Sequence, residues 1–452
     1  MKKIVTIAGS DTGGGAGVQA DLKTIAALGG HGMSVITALT AQNSHGVHSV
    51  YPIPLPFIES QIDAVFSDMG AHVVKTGMLY NGEVVKLVAE KMKHYRADKL
   101  VVDPLIAATD GTPLLDEGGK DALRRELLPL AFLVTPNLPE AAALAGMEVR
   151  TTEEMREAAK RIRGYGAEAV LVKGGHLEGD PVDILLEGED YTEFHSEREA
   201  GSDVHGTGCV LSAAIATALA HGASLQEAVR RGREVTVASI KASFMMGKGR
   251  RFAHPHAYIA MEGERYHVIK ALVEAVAQLQ DEAHIGGVIP EVSSNLGYAL
   301  PGAQDKKDVA AFPGRIIRFQ DGITTIAPPA FGASQHIASI ILTVMEHNPS
   351  FRSAMNIRYS PTILEACKKG GFTILAFDRS GEPQEVTETE GRSLAWGVQK
   401  VLVDAGKVPD VIYDEGGWGK EPMIRILGKD PGEVARKIIE IKRRCNDSDA
   451  TR

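Results

Sequence analysis

The stretch that decides the fold of this chain is SDVHGTGC at residues 202–209, which an apolar run at residues 210–220 follows. The apolar run predicts a helix, and Gly206 and Gly208 before it allow the backbone to approach a ligand closely. A helix start presents free N–H groups and the positive end of the helix dipole, which favour an anion such as a phosphate. Cys209 lies in the predicted first turn, where the dipole lowers a thiol pKa and favours the thiolate. The same sequence can also form an ordinary loop before a buried cysteine. The residues that precede this stretch therefore have to decide between an anion site and an ordinary loop.

The composition is that of a globular protein with more than one domain. The chain has 452 residues, of which 44% are hydrophobic and 24% charged, so two or three domains are expected. A net charge of −9 argues against broad nucleic-acid binding. Cys209, Cys367 and Cys445 are far apart and form no disulfide framework or CxxC metal motif, which suggests a reducing cytoplasm. No apolar run approaches the roughly eighteen residues of a membrane span, and residues 4–8 are predicted as a first strand rather than a signal peptide.

A glycine-rich turn follows this first predicted strand. Residues 9–17 have the sequence GSDTGGGAG, and residues 18–28 have helical periodicity, which completes a strand–turn–helix unit. A Walker A loop requires a lysine at a position where this turn has none, and a dinucleotide fingerprint requires a small residue where the chain has Val18. We therefore predict a loop that admits a small ligand or closes over one.

Predicted strands and helices alternate through the rest of the first half. The strands are expected at residues 34–39, 73–77, 99–105, 132–135 and 169–173, the helices at 56–66, 82–95 and 151–165, and a hairpin at 182–186 and 191–195. This alternation predicts an α/β fold with a mostly parallel sheet that helices cover on both faces. Ligands of such sheets bind at the carboxyl ends of the strands.

Polar residues cluster at those strand ends. A single one is more often a capping or turn residue, but five clusters in the same structural position favour a site. Asp103, Asn137 and Glu140 offer oxygen ligands that suit Mg²⁺ directly or through water, and Lys173 could neutralise a phosphate.

Residues 1–260 resemble the hydroxymethylpyrimidine/phosphomethylpyrimidine kinases of thiamine biosynthesis, in the ribokinase-like superfamily. The matching segments cover the whole half and are jointly specific: AGSD at 8–11 with 13–17, QADLKT at 19–24, VITAL at 35–39, AQN at 41–43, residues 135–143, KGGH at 173–176 and HGTGC at 205–209. Sugar kinases of the superfamily carry Asp at the position of Cys209, so the cysteine points to the pyrimidine subgroup. A sugar or pyridoxal kinase is the alternative.

The resemblance implies a kinase that acts twice with ATP and Mg²⁺, first on the hydroxymethyl group of the pyrimidine and then on the monophosphate. It implies that Cys209 is the catalytic base and that Gly206, Gly208 and Lys173 stabilise the transferring phosphoryl group. The other roles it implies are substrate binding by Gly9, Val18, Asp21, Gln42 and Met78, ATP binding by Asn137, Glu140 and Thr207, and Mg²⁺ binding by Asp103 and Glu140. Kinases of this kind are commonly dimeric, so a homodimer is expected.

The second half, predicted as a domain at residues 265–445, lacks the steady alternation. A helix is expected at 224–246, a link at 252–265 and another helix from 266 to 279. Further strands are predicted at 316–319, 323–326 and 373–377, and helices at 337–346, 360–368, 391–404 and 432–444, before a frayed tail at 446–452. These elements indicate an α/β or α+β domain, and their order in the sheet does not follow from the sequence.

This half resembles the archaeal-type thiamine-phosphate synthase domain, through FPGRI at 312–316, residues 332–337, AMNIRY at 354–359 and residues 409–425. The resemblance implies that a pyrimidine diphosphate couples with thiazole phosphate and releases pyrophosphate. Stabilising the leaving group would fall to Arg315 and to a helix start near His336, and Asp414 or Glu415 would hold an ion. By composition alone, Arg315 suits a surface ion pair and His336 a first-turn residue. The alternative is a domain that senses thiamine phosphates without catalysis, but both residues are present and no helix-turn-helix extension is visible.

Overall fold

The computed structural model of the protein describes residues 1–108, 111–198, 204–379, 392–417 and 420–450. The chain forms two compact units, Met1–Ala260 and Met261–Arg452. Residues 202, 203, 391, 418, 419, 451 and 452, which belong to predicted segments, lie outside the described residues. Within the described part of the chain, no helix combines the length and the apolar composition that crossing a membrane requires.

The first unit is built on one large sheet. Its strands are β1 (Lys2–Asp11), β2 (Gly30–Asn43), β3 (Gly46–Pro52), β4 (Val73–Thr76), β5 (Leu100–Val102), β6 (Leu133–Val134), β7 (Ala169–Val172), β8 (Val182–Glu187) and β9 (Asp190–His195). They lie in the order β3-β2-β1-β4-β5-β6-β7-β8-β9. The six strands from β2 to β7 in this order are parallel, and β3, β8 and β9 add antiparallel edges.

Helices cover both faces of this sheet. They are α1 (Gly17–Ala27), α2 (Leu55–Asp68), α3 (Gly82–His94), α4 (Glu117–Ala122), α5 (Leu138–Ala145), α6 (Thr152–Arg163), α7 (Thr207–Ala220) and α8 (Leu225–Lys241). Side chains alternate across each strand, so Val5 and Ile7 of β1 pack with α2 and α3, whereas Ile4 packs with α1 and α7. The predicted parallel sheet sandwiched by helices is therefore confirmed. Helix α7 is buried from Cys209 to Ala220, because α1, α8 and the sheet surround it.

Two short segments at the carboxyl edge of the sheet were not predicted as regular structure. Strand β1 continues through Gly9, Ser10 and Asp11, because Ser10 and Asp11 pair with β2 beyond an irregularity at Gly9. The polar cluster after β6 begins helix α5, with Asn137 as its N-cap and Glu140 completing a capping box. Edge strand β3 was also missed, because its pattern GVHSVYP carries few apolar residues. The predicted helix at 224–246 ends earlier, at Lys241.

The link predicted at residues 252–265 is wrong in its second part. After β10 (Val204–His205) and β11 (Arg251–Phe252), which pair with each other, the continuous helix α9 runs over Ala257–Gln280. The boundary between the two units falls inside this helix, at Ala260 and Met261. Residues 257–264 lacked apolar periodicity and yet are helical, because few helix breakers occur among them.

The second unit also has a central sheet between helices, but its strands are mostly antiparallel. The strands are β12 (Leu296–Ala299), β13 (Val309–Ala311), β14 (Ile316–Phe319), β15 (Gly322–Thr325), β16 (Ala330–Phe331), β17 (Ser353–Arg358), β18 (Ile374–Ala376), β19 (Val411–Asp414) and β20 (Met423–Gly428). The sheet order is β16-β13-β12-β17-β20-β19-β18, with only the pair β18–β19 parallel, while β14 and β15 form a separate hairpin.

Helices pack on both faces of this second sheet. They are α10 (Gln335–His347), α11 (Pro361–Lys369), α12 (Arg392–Ala405) and α13 (Pro431–Ala450). Helices α9, α11 and α13 share one core, and α10 and α12 share the other. The acidic, glycine-rich stretch at 410–422 begins as strand β19. The predicted tail is likewise helical as far as Ala450.

Candidate active site

The carboxyl ends of the parallel strands open into a cavity of about 860 Å³. This volume is large enough for a nucleotide and a small ring together. Most of the residues that the sequence predicted for the kinase site line it: Gly9, Gln42, Met78, Asp103, Asn137, Glu140, Lys173, Gly206, Thr207, Gly208 and Cys209. Val18 and Asp21, predicted to bind substrate, are absent from the described lining. Both are buried in α1, so the structure does not bring these two side chains to the cavity with the other predicted residues.

A cation shared by two carboxylates lies in the centre of the cavity wall. Lys173 Nζ is 3.0 Å from Asp103 Oδ1 and 4.0 Å from Glu140 Oε2. The hydroxyl of Thr135 donates to the same oxygen of Asp103, and Ser212 of α7 donates to the other at 3.1 Å. Three consecutive strand ends and two helices thus meet at one cluster of charges.

Burial and the neighbouring charges together determine which groups of this cluster carry a proton. Burial raises the pKa of the Glu140 carboxyl, although Lys173 opposes the shift. Burial alone would lower the pKa of Lys173, but Asp103 and Glu140 outweigh it and the pKa is raised. Lys173 therefore stays charged at neutral pH, and it is positioned to neutralise a phosphate oxygen as well as its own carboxylates.

The loop before α7 presents the helix start to the cavity. Gly206 is the N-cap with φ +90°, and a Cβ there would overlap the carbonyl oxygen of Gly15. Glycine is thus required at this position for both conformation and contact. A Cβ on Gly208 would lie 3.5 Å from Lys173 Nζ, so this part of the helix start is next to the charged cluster. The start of α7 therefore lines the cavity beside Lys173, and the first N–H groups of a helix have no partner within the helix.

Cys209 in this first turn does not behave as the sequence predicted. The helix start was expected to lower the pKa of the thiol, whereas burial raises it to about 12. The ammonium of Lys75 and the backbone N–H of Gly17 act in the opposite direction but do not compensate for burial. In the ligand-free chain the cysteine is consequently a thiol, and the expectation of a thiolate was wrong because it omitted desolvation.

Asp21 and Lys75 form a buried ion pair beneath the cavity. Lys75 Nζ lies 2.8 Å from Asp21 Oδ2, both side chains are completely buried, and Thr6 donates to the same carboxylate at 2.6 Å. Removing one partner of such a pair leaves an uncompensated charge, which costs about 3–5 kcal/mol. Asp21 therefore supports the floor of the site and is held away from the ligand.

The predicted substrate end has a polar side and an apolar side. A Cβ on Gly9 would lie 2.8 Å from Met78 Sδ, so the glycine makes room for the methionine that lines the cavity. Opposite them, Gln42 Nε2 is 2.9 Å from His205 Nε2. His205 Nε2 is also 3.3 Å from Asp11 Oδ2, and Asp11 accepts backbone N–H groups of the glycine-rich turn.

Two arginines of the cavity wall were not predicted. Arg233 of α8 pairs with Asp183, whose other oxygen accepts the N–H of Gly174 at 2.7 Å. Arg198 donates to the carbonyl oxygens of Gly175 and Gly179. Both fix the segment after β7, and neither belongs to one of the matching motifs. Their only sequence signal was the charge itself.

In the second unit, Arg315 and His336 are at separate places. Both side chains are exposed, and the guanidinium of Arg315 donates to the carbonyl oxygen of Val292. Arg315 closes a turn after the carboxyl end of β13, where Ala311 pairs with Ala330. His336 follows the other end of the same strand pair, in the first turn of α10. The two side chains therefore lie at opposite ends of this short pair of strands.

Asp414 is not available to bind an ion. Its carboxylate lies 2.6 Å from Arg379 Nε and 2.8 Å from Arg425 NH1, and all three side chains are nearly buried. Burial alone would raise the pKa of Asp414, but the two arginines lower it. The carboxylate is therefore already neutralised, so the predicted ion-binding role is wrong for this residue. Its neighbour Glu415 is exposed and accepts the hydroxyl of Tyr359.

The fold and the cavity of the first unit define a small-molecule kinase with a ribokinase-like fold. The structure resembles the ADP complex of Bacillus subtilis pyridoxal kinase, with a TM-score of 0.54 and 37% identity, over 57% of this chain and 99% of that one. A family profile described as phosphomethylpyrimidine kinase matches residues 11–254, and one described as thiamine-phosphate synthase ThiN matches residues 271–440.

Curated relatives agree with this division. The chain is 34% identical to the bifunctional thiamine biosynthesis protein ThiDN of Methanocaldococcus jannaschii, over 98% of this chain and 99% of that protein. It is 49% identical to the bifunctional protein ThiED of Geobacter sulfurreducens over 247 residues, which span only half of that protein. The chain belongs to the phosphomethylpyrimidine kinase family and carries a thiamine-phosphate synthase domain after the kinase domain. It is a two-domain enzyme of thiamine biosynthesis, and the kinase assignment implies the use of ATP.

The raised thiol pKa predicts how Cys209 reacts in the ligand-free chain. Because the reactive form is the thiolate, its alkylation rate should rise about tenfold for each pH unit between pH 7 and 9.5, with no plateau. Timed iodoacetamide labelling followed by peptide mass spectrometry measures this rate. A plateau near pH 7 would show a thiolate already formed by the helix start and would contradict the effect of burial.

Proposed function

We propose that residues 1–260 phosphorylate 4-amino-5-hydroxymethyl-2-methylpyrimidine and then its monophosphate, each time from ATP. We further propose that residues 265–445 join the resulting diphosphate to thiazole phosphate, which yields thiamine phosphate and pyrophosphate. The observation that carries the proposal is the single cavity where Gln42, the Lys173 cluster and the start of α7 meet. The similarity to ThiDN along the whole chain supports the order of the two activities.

The cavity suggests where each part of the reaction takes place. Gln42 would hydrogen-bond the aminopyrimidine edge, with Met78 and Gly9 as the apolar wall. The transferring phosphoryl group would lie at the N–H groups that follow Gly206, where the helix start and Lys173 stabilise its charge. Phosphoryl transfer has a loose transition state, so positioning and charge stabilisation supply most of the rate. Asn137, Glu140 and Thr207 would then contact ATP.

Mg²⁺ fits the donors that the cavity offers. Asp103 and Glu140 approach the same lysine, and carboxylate oxygens together with substrate phosphates are the ligands that Mg²⁺ prefers. In the described residues no cluster of three or more His, Cys, Asp or Glu forms a complete metal cage, so phosphate oxygens would have to complete the shell. Bound there, the ion would neutralise phosphate charge in the transition state.

Cys209 is proposed as the base that takes the hydroxymethyl proton. Because the thiol is protonated in the free chain, it must first lose its own proton to water, and bound ligands that change the field at the sulfur would have to stabilise the thiolate. The thiolate could then accept the hydroxymethyl proton. Lys75, whose charge favours the thiolate, is the group that would assist it. Asp103, whose carboxylate also lines the cavity, is an alternative proton acceptor.

We predict that Cys209→Ala lowers kinase turnover by about 10²–10⁴-fold, the usual contribution of a general base, while the protein stays folded. Turnover is measured by coupled ADP release with the pyrimidine as substrate, and folding by circular dichroism. Cys367→Ala, which removes a buried thiol of the second unit, is the matched control and should leave kinase turnover unchanged. Near-normal activity of Cys209→Ala would remove Cys209 from the mechanism and leave phosphoryl positioning as the main source of rate.

The synthase role is proposed for Arg315 and His336. The pyrophosphate leaves with negative charge, which an exposed guanidinium can stabilise and an imidazole can hydrogen-bond or protonate. Because these side chains lie at opposite ends of one strand pair, they would contact different parts of the extended substrates. An exposed arginine and histidine suit catalysis better than passive sensing, although the sensing domain stays the rival hypothesis.

We predict that Arg315→Ala reduces pyrophosphate release from the pyrimidine diphosphate and thiazole phosphate by about 10²-fold, since it removes one charge-stabilising donor. Arg318→Ala changes an exposed arginine only three residues away and should leave the rate unchanged. Both variants should keep full kinase turnover. Equal rates in Arg315→Ala and the native chain would exclude this role, and no pyrophosphate release by the native chain would favour the sensing domain.

Pyridoxal is the competing substrate for the first unit, because solved structures that resemble it at 35–37% identity are pyridoxal kinases. A panel of pyrimidine, pyridoxal and sugar substrates separates these possibilities. The resemblance also leads us to propose a homodimer, which light scattering tests. We also propose a reducing cytoplasm, with which three buried cysteines outside disulfides are compatible. The acidic net charge supports small molecules rather than nucleic acid or a membrane as the partners.

A further inference from the structure

The side chain of Gln42 is held at both ends of its carboxamide. Its Nε2 lies 2.9 Å from His205 Nε2, and its Oε1 lies 3.3 Å from the hydroxyl of Thr40. Gln42 lines the cavity, so the remaining N–H and the remaining lone pair are available to a ligand. The orientation of this one amide therefore decides which position of the cavity wall donates a hydrogen bond to a ligand and which position accepts one.

The neighbours of His205 Nε2 make opposite demands on it. To accept the amide N–H of Gln42, the nitrogen must carry no proton, whereas to donate to Asp11 Oδ2 at 3.3 Å it must carry one. Asp11 already accepts the N–H groups of Gly13, Gly15 and Ala16 at 2.8–3.0 Å. The carboxylate is therefore satisfied without the histidine, and the contact with Gln42 can determine the tautomer.

Thr40 permits either orientation of the amide. Its hydroxyl has a single hydrogen, which can go to Ser10 O at 3.0 Å or to Gln42 Oε1. When the Thr40 hydroxyl donates its hydrogen to the carbonyl oxygen of Ser10, its own oxygen could accept an N–H from a reversed Gln42 amide. The hydroxyl of Thr40 can bind the reversed amide after rotation alone. The imidazole of His205 can bind it only after a proton moves from one ring nitrogen to the other, so the imidazole decides between the two orientations of the amide.

His205 is itself held in place. Its backbone pairs with β11, the N–H of Ala253 donates to its carbonyl at 3.1 Å, and its ring contacts Phe252 edge to face at 5.7 Å. Its side chain is only 16% exposed. A ring that is fixed in this way can hold the amide of Gln42 in one orientation.

We propose that His205 is a positioning residue that sets the orientation of the Gln42 carboxamide and thereby the specificity for a 4-aminopyrimidine. Such a ring presents an amino N–H beside a ring nitrogen that accepts, and the matched amide presents its oxygen to the first and its N–H to the second. A 4-oxo ring has the reversed pattern and requires the reversed amide. The inference rests on the proposed role of Gln42 in pyrimidine binding.

The experiment compares kcat/KM for 4-amino-5-hydroxymethyl-2-methylpyrimidine with that for its 4-oxo analogue in the full-length chain. His205→Asn removes the acceptor at the Nε2 position, whereas His205→Gln can place an amide atom there. We expect the amino-to-oxo preference to fall by about tenfold or more in His205→Asn, since one mismatched hydrogen bond is worth about that factor, and to be retained better in His205→Gln. The KM for ATP should stay within about twofold in both variants.

Thr40→Val releases the other end of the amide on a different element, and it provides a second test if the histidine variants fold poorly. It should leave the preference within about twofold, because the Thr40 hydroxyl accepts either orientation of the amide. An unchanged preference in His205→Asn would overturn the inference. A fall of about tenfold or more in Thr40→Val would also overturn it, because Thr40 rather than His205 would then set the orientation.

Gln42→Ala distinguishes failure of the positioning role of His205 from failure of the proposed function. If Gln42→Ala raises the KM for the pyrimidine while the preference survives loss of His205, only the positioning role is wrong. If Gln42→Ala leaves the KM unchanged, pyrimidine binding by Gln42 and the inference that rests on it are both wrong.

Discussion

The ammonium group of Lys173 is the contact on which the architecture of the first unit depends. It brings together Asp103 after β5 and Glu140 on α5, and the hydroxyl of Ser212 connects Asp103 to α7. Without the lysine, two buried carboxylates would face each other uncompensated, and the cost would be several kcal/mol. The cation therefore stabilises the packing of the strand ends, and under the proposed function it would also supply a charge for phosphoryl transfer.

A second constraint is steric and joins the two glycine-rich segments. Gly206 can adopt φ +90° and approach the carbonyl oxygen of Gly15 only because it has no Cβ. Asp11 organises the same turn from the other side through its backbone hydrogen bonds. The turn that follows β1 thus packs against the start of α7.

The first unit was predicted well because its strands and helices are indicated by local patterns in the sequence. Buried parallel strands and amphipathic helices have distinct periods, so the fold and the ring of residues around the cavity followed from pattern and motif. Asp21 and Val18 were misplaced because a matching segment does not reveal which of its side chains point to the cavity. The pKa of Cys209 was misjudged because the helix dipole is visible in a sequence and desolvation is not.

The second unit was less predictable because its sheet is mostly antiparallel and its pairings are distant in sequence. Strand β17 pairs with β20 across about seventy residues, and neither SAMNIR nor MIRILG alternates cleanly. Arg425 is buried in the middle of β20 because Asp414 compensates its charge, and Asp414 also pairs with Arg379, a network that no local pattern indicates. The separation of Arg315 and His336 likewise depends on the pairing of β13 with β16.

The central claim is that the start of α7 receives the transferring phosphoryl group beside Lys173. The most direct test is a crystal structure of the full-length chain with a nonhydrolysable ATP analogue and the hydroxymethylpyrimidine. The account predicts the terminal phosphate at the N–H groups that follow Gly206, and the pyrimidine between Gln42 and Met78. A terminal phosphate bound instead by the turn at residues 12–17 would contradict it.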